Sequence, residues 1–263
     1  DIIRAIERTI TDAGFTMVMQ QIGTCDDEVK CGAVMEREKR LQGIVFLGGR
    51  FDYTPADLAM LNVPFVCCSY SNRYGTLIEG EYSSVSIADG DTAQQAVEEL
   101  DRHGHRRIAA LISRPNDQSI SQLRYEGYVQ ALESHGIPVD PELVICTGGF
   151  GAKDAYRAVQ EKMAENVDFT ALFAIADSMA IGAMRALMDA GRRIPEDCSV
   201  IAIDGLELSA YIEPPLTTLC QPMEEMGRRS AEILLDMVRH KGSHACELLP
   251  TTLRQGRSVA APR

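Results

Sequence analysis

Seven runs of strand length, continuously apolar rather than alternating, recur along the 263-residue chain with helical segments between them. They are FTMVMQ (15–20), GIVFLG (43–48), PFVCCS (64–69), RIAALI (107–112), ELVICT (142–147), ALFAIA (171–176) and SVIAID (199–204). A strand with one wet face alternates apolar and polar residues, whereas a strand covered on both faces does not. Runs of the second kind predict parallel sheets covered by helices.

The intervening segments carry the matching helical signal. In 91–103, Ala93, Ala96, Val97 and Leu100 repeat at i, i+3, i+4 and i+7; in 178–190, Ala180, Ala183, Met184, Leu187 and Met188 do the same. Gly14, Gly104, Gly136 and Gly191 each stand just past a predicted last turn. Strand then helix every roughly 25 to 35 residues is the rhythm of a doubly wound α/β fold. The longest interruption, YSNRYGTLIEGEYSS (70–84), is polar and aperiodic, and it is expected to connect two halves of the molecule.

Charge and composition exclude several function classes. The formal net charge is −12 and no dense Lys/Arg block occurs, so these residues alone are not expected to hold a phosphate backbone. No apolar run approaches the ~20 residues needed to span a bilayer. The eight cysteines (Cys25, Cys31, Cys67, Cys68, Cys146, Cys198, Cys220, Cys246) mostly sit in apolar strand-like runs, and they read as reduced core residues of a cytosolic protein. The five histidines (His103, His105, His135, His240, His244) lie on loops or helix ends and read as surface residues without metal-ligand spacing. No metal and no cofactor is expected.

In parallel α/β sheets ligands bind beyond the carboxyl ends of the strands. The residues there are Gly48, Gly49 and Arg50, Ser69 to Ser71, Asp89, Ser113 and Arg114, Gly148 to Phe150, Ala176 and Asp177, and Asp204. Polar groups, one aromatic and a few charges suit a neutral, hydroxyl-rich small molecule. No phosphate-binding loop, dinucleotide fingerprint or nucleophile elbow occurs. GGFGAKDA (148–155) reads as a structural turn or as a seat for an anion on a helix N-terminus. Asp89 and Asp177 each stand where a helix N-cap is expected, and capping or ligand contact are both open. Arg124, in SQLRYEGYVQAL, reads as a solvated helix arginine or a ligand contact. Asp204 closes a wholly apolar strand, which is costly unless its carboxylate is hydrogen-bonded or faces a wet cleft.

Several segments resemble the effector-binding domain of lactose-repressor/galactose-repressor (LacI/GalR) transcriptional regulators. They are IPEDCSVIAIDGLELSAYIEPPLTTLCQPMEEMGRRSAEILLDMV (194–238), GHRRIAALI (104–112), RYEGYVQALESHGI (124–137) and ADSMAIGAMRALMDAG (176–191). Pro-Pro-Leu-Thr-Thr (214–218), at this distance after the strand aspartate, is the most specific of the signals.

The resemblance implies two Rossmann-like lobes with parallel sheets joined by three crossovers, the periplasmic-binding-protein-like type I fold. The first lobe would be 1–86 plus 222–250, the second 87–221 plus 251–263, with an effector in the interlobe cleft. Pro222 to Lys241 would form a helix of the first lobe, with Met226, Ile233, Leu234, Met237 and Val238 inward. By position, Arg124 matches an arginine that hydrogen-bonds effector hydroxyls or a carboxylate, and Asp204 a strand-end aspartate that pairs with hydroxyls or ring nitrogens. Phe150 matches an aromatic that lies against the ligand, Gln221 lies at a crossover beside the cleft, and Asp89 joins the candidate contacts. Two departures stand out: Ser69 where the family often has aspartate, and Ala176 where it often has asparagine. Losing two polar partners points away from a standard monosaccharide.

The expected function is therefore a non-catalytic effector-sensing and dimerisation domain of a cytoplasmic bacterial regulator. Its partners would be a sugar or related polar metabolite, a second copy of the chain, and operator DNA only through a helix-turn-helix segment that the sequence does not include. The resemblance puts the helix near 179–188 and Tyr211 in the dimer face, with Met179 and Met184 readable as core instead. The rival readings are a periplasmic sugar-binding protein of a transporter and an α/β enzyme using Asp177 or Asp204 as a base.

Overall fold

Strands apolar on both faces are stable only when helices cover them, and the order of elements supplies such helices throughout. In chain order these are α1 (Ile2–Asp12), α2 (Glu28–Lys39), β1 (Ile44–Leu47), α3 (Pro55–Leu58), β2 (Phe65–Cys68), β3 (Ser84–Ser86), α4 (Asp89–Arg102), β4 (Ile108–Ile112) and α5 (Ile120–Ser134). Then come β5 (Val144–Cys146), α6 (Ala152–Ala164), β6 (Ala171–Ala174), α7 (Asp177–Asp189), β7 (Ser199–Asp204), β8 (Thr217–Cys220), α8 (Met223–His240), β9 (Cys246–Leu248) and β10 (Thr252–Arg254). The computed structural model describes residues 1–23, 27–78, 80–240 and 242–262.

Two compact units divide these elements: unit 1 is Asp1–Ile87 with Pro222–Pro250, and unit 2 is Ala88–Gln221 with Thr251–Arg263. Unit 1 holds a wholly parallel sheet in the order β1-β2-β3-β9. Helix α8 packs on β1, β2 and β3 and against α1. Its Met226, Ile233, Leu234 and Met237 are buried and Val238 is half-buried. Lys241, read as the end of this helix, lies outside the described residues.

Unit 2 holds the order β10-β8-β7-β6-β4-β5, parallel except for β10, which runs antiparallel to β8. The pairs α4 with α5 and α6 with α7 accompany it. Strands β4 and β6 are buried at every position, and β7 is buried up to its last residue, Asp204.

Several expectations are corrected. No strand forms over 15–20: a strand exists only through a ladder partner, and this segment joins neither sheet, leaving Val18 51% and Met19 67% exposed. The segment 70–84 does not join the two units but lies inside unit 1. It is organised by Tyr70, 2% exposed, against which Phe51 and Tyr82 stand edge-on at 5.5 and 5.7 Å and Tyr53 stacks at 5.7 Å. Among the described cysteines, Cys67, Cys68 and Cys198 are core residues, whereas Cys146 and Cys246 are exposed at the ends of short strands; Cys25 lies outside the described residues. Met179 and Met184 are core within one chain.

His105 is not a surface residue. It is 1% exposed, with Nε2 2.8 Å from the Ala260 carbonyl and 3.0 Å from Ser199 Oγ, and Nδ1 2.9 Å from Thr170 Oγ1. The carbonyl requires a proton on Nε2, so Nδ1 of the neutral ring accepts from Thr170. Burial, the largest influence, lowers the ring's pKa below the ordinary histidine value, and His103 adds to the effect. Below about pH 6.5 an unfolded chain takes up this proton while the folded chain resists it. Stability is therefore expected to fall as the pH drops from about 6.5 towards 5. In thermal melts across that range, His105→Gln should flatten the slope; an unchanged slope would contradict the assignment.

Candidate functional site

The carboxyl ends of β6 and β7 in unit 2 meet at one charged side chain, Arg124. Helix α5 is started by Ser119, whose hydroxyl accepts from the Ser121 amide, and the helix then buries Leu123, Arg124, Gly127, Tyr128 and Ala131. Helices α4 and α5 cross very closely at Gly127, where a Cβ would stand 2.1 Å from the Gly90 carbonyl oxygen. That approach brings Asp89, the residue before Gly90, against Arg124. Arg124 Nε donates to Asp89 Oδ1 at 2.9 Å, and Nη1 donates to the Ile175 carbonyl just after β6 and to Asp204 Oδ1 at 3.3 Å. Arg124 is 2% exposed, yet among the described residues its Nη2 has no partner.

Burial works against the guanidinium charge, but the attraction of Asp89 and Asp204 outweighs it, so the pKa of Arg124 is raised. Burial, with the Asp204 charge adding to it, pulls the Asp89 carboxyl above the ordinary carboxylate range against the attraction of Arg124. The 2.9 Å contact decides the pair in favour of both charges, because either one buried alone is far costlier.

Asp204 ends β7 with φ +135°, a backbone conformation that side chains rarely adopt. Such residues cost of order 1–3 kcal/mol and persist where their surroundings hold them. Here Gln221 Nε2 donates to Oδ1 at 2.8 Å and the Asp177 amide donates to Oδ2 at 3.3 Å. Gly205 follows with φ +77°, where a Cβ would meet Cys220 Sγ at 2.5 Å. Glycine is required there by both conformation and space.

Asp177 has a different fate. It is the first residue of α7, as Asp89 is of α4, and neither is the cap: the cap positions are Ala176 and Ala88, without side-chain capping bonds. The Asp177 carboxylate instead accepts from Thr218 Oγ1 at 2.5 Å, Ser209 Oγ at 2.6 Å and the Leu206 amide at 2.8 Å, with Arg254 at 3.9 Å. Burial raises its pKa, opposed by the hydroxyls of Ser209 and Thr218. At 0% exposure it is a brace for the loop after β7, closed to any substrate.

The structure thus brings Arg124, Asp89, Asp204 and Gln221 into one network. Ala176, 4% exposed, stands between the Ile175 carbonyl and the Asp177 amide that serve it. Phe150 is 40% exposed before α6, its carbonyl accepting from Ser178 Oγ, and GGFGAKDA is a turn into that helix. Ser69 belongs to unit 1, where it follows β2 with φ +57° and its amide donates to the Val85 carbonyl. The Ile175 carbonyl and the Ser209, Thr218 and Arg254 side chains were not foreseen as part of this arrangement. Among the described residues no group of three or more His, Cys, Asp or Glu is placed to hold a metal ion.

Comparison with known proteins assigns this architecture to a family. Residues 97–259 match the model described as a periplasmic binding protein-like domain. The HTH-type transcriptional regulator MalR of Clostridium butyricum is 34% identical over 252 residues, covering 94% of this chain and 74% of that protein. The chain belongs to the LacI family of transcriptional regulators. Among solved structures, the transcriptional regulator CelR in complex with cellobiose is 30% identical with a TM-score of 0.85, covering 98% of this chain and 78% of that one. The dimeric Lac repressor is 25% identical with a TM-score of 0.86, covering 100% of this chain and 94% of that one. These LacI-family relatives are regulators rather than enzymes or transport proteins, and no helix among the described residues is long and apolar enough to cross a membrane.

The ion pair at Arg124 carries a stability prediction. Asp89→Ala leaves a buried guanidinium with its shortest carboxylate partner gone and should destabilise the chain by about 3–5 kcal/mol. Glu213→Ala, which breaks the exposed pair with Arg257, should change little. Urea denaturation followed by circular dichroism compares the two, and equal effects would contradict the role given to Arg124.

Proposed function

We propose that the chain is the effector-sensing domain of a cytoplasmic LacI-family regulator and that its effector is a neutral, hydroxyl-rich molecule, in the first instance a disaccharide. The effector sits at the carboxyl end of the unit 2 sheet on Arg124 and Asp204, with Phe150 as an apolar face beside it. The observation that carries this reading is the bare Nη2 of a buried guanidinium, because such a donor is costly unless an acceptor arrives.

The chemistry of the site narrows the class. Arg124 is already shared by Asp89 and Asp204, so the three side chains together are one charge negative. A phosphate or carboxylate can only accept, and it would face the Asp204 carboxylate. A hydroxyl accepts from Nη2 and donates to Asp204 in the same contact. The CelR structure, with cellobiose bound, supports a neutral sugar. Ala176, 4% exposed and in place of a larger polar group, leaves the site one partner fewer than a compact monosaccharide needs.

Signalling then requires the effector to bind two conformations unequally. A homodimer that presents helix-turn-helix segments to operator DNA is the output we assign, supported by the dimeric Lac repressor. On this chain the exposed Met188, Leu208 and Tyr211, at 39, 63 and 78%, offer apolar area for a second copy. Met179 and Met184 do not.

A thermal-shift panel tests the reading with cellobiose, ribose, nucleosides, glucose 6-phosphate and ribose 5-phosphate. A neutral member at a hundredfold excess over its Kd should add about 2.7 kcal/mol to stability. Arg124→Lys, which keeps the charge and removes the free amino group, should weaken binding roughly tenfold or more, as should Asp204→Asn. A stronger shift with the phosphates, or equal binding by Arg124→Lys, would sink the proposal. Conversion of any member to product would favour an enzyme.

A further inference from the structure

The polypeptide passes between units 1 and 2 at Ile87/Ala88, Gln221/Pro222 and Pro250/Thr251. The first two are tied, on their unit 2 side, to the Arg124 network, and the third to the helix turn that Asp89 begins. Two residues after the first, Asp89 accepts from Arg124 Nε at 2.9 Å. At the second, Gln221 Nε2 donates to Asp204 Oδ1 at 2.8 Å while its own amide donates to the Asp204 carbonyl at 3.0 Å. Just after the third, Thr251 Oγ1 lies 3.5 Å from Thr92 Oγ1 in the first turn of α4, the turn that Asp89 begins.

The bond lengths around Asp204 are unequal in an informative way. Among the described residues Gln221 makes the only bond of ordinary length to its carboxylate, whereas those from Arg124 Nη1 and the Asp177 amide are both 3.3 Å. Oδ1 already accepts from two donors, and the neighbouring Nη2 of Arg124 has none to serve. A hydroxyl that seats on Nη2 and donates to Oδ1 of Asp204 competes with the Gln221 amide for that oxygen.

We infer that Gln221 is a latch: its side-chain amide occupies the Asp204 carboxylate and is displaced by the effector hydroxyl. Displacement frees the side chain of the residue at which the polypeptide leaves unit 2, so occupancy of the site is written directly into a passage between the units. Gln221 is a positioning residue in this scheme and competes with the effector instead of holding it. The inference rests on the proposed effector site for its ligand but on the hydrogen bonds of Gln221 for the latch.

Two measurements on the 263-residue chain separate the two claims. In hydrogen–deuterium exchange without added sugar, Gln221→Leu should raise exchange about fivefold in the peptide covering 219–223, with β4 and β6 unchanged. Exchange equal to wild type there would overturn the latch, whatever the chain binds. In calorimetric titration with cellobiose, Gln221→Leu should bind about three- to tenfold more tightly than wild type, because a competing hydrogen bond to a carboxylate is gone. Weaker binding would make Gln221 a direct effector contact and overturn the latch. A generally loosened structure does not tighten binding, so the titration separates a latch from a merely structural role. Absence of heat with both proteins counts against cellobiose as effector and leaves the exchange result to decide the latch.

Discussion

A single guanidinium held out of water organises this end of the molecule. Burying the charge of Arg124 carries a penalty of several kcal/mol, and only close partners of opposite charge and well-placed carbonyls offset it. That requirement explains the tight crossing of α4 and α5 at Gly127, the inward position of Asp89, and the use of the Ile175 carbonyl at the end of β6. It also explains why Asp204 is tolerated at φ +135°, since its carboxylate is gripped from three sides. The brace of Asp177 on Ser209, Thr218 and the Leu206 amide fixes the loop behind it. The Nη2 of this guanidinium remains unserved among the described residues, and the functional reading grows from that donor.

Much of the fold was legible because burial on two faces writes itself as a continuous apolar run. Strands β4, β6 and β7 show this at nearly every position. The strands that escaped reading lack the signal for physical reasons. The Ser84–Ser86 and Thr217–Cys220 strands are buried but hydroxyl-rich, and the edge strands Cys246–Leu248 and Thr252–Arg254 are largely exposed, so neither pair reads as apolar. Residues 15–20 show the converse: apolar composition permits a strand, but only a paired neighbour makes one.

The site was legible in part. Asp204 stood out as an acid at the end of an apolar strand, and Asp89 and Ala176 by their places after strands. Arg124 was ambiguous as a helix residue and gained its role through the resemblance. What no local pattern carried was the pairing of groups far apart in sequence: Arg124 with Asp89, 35 residues away, and Asp177 with Thr218, 41 residues away. The same limit hid His105, whose partners Thr170, Ser199 and Ala260 come from three later segments. Distinguishing Asp177, closed off by its own hydrogen bonds, from Asp204, open on one side, required the folded geometry.

The central claim is that the bare amino group of Arg124 awaits a neutral hydroxyl. A crystal structure of the chain grown with cellobiose tests it most directly. The account predicts a sugar oxygen within about 3 Å of Arg124 Nη2, the same hydroxyl hydrogen-bonded to the Asp204 carboxylate. A bound sugar that leaves Nη2 without a partner, or a hydroxyl that contacts neither residue, would contradict it.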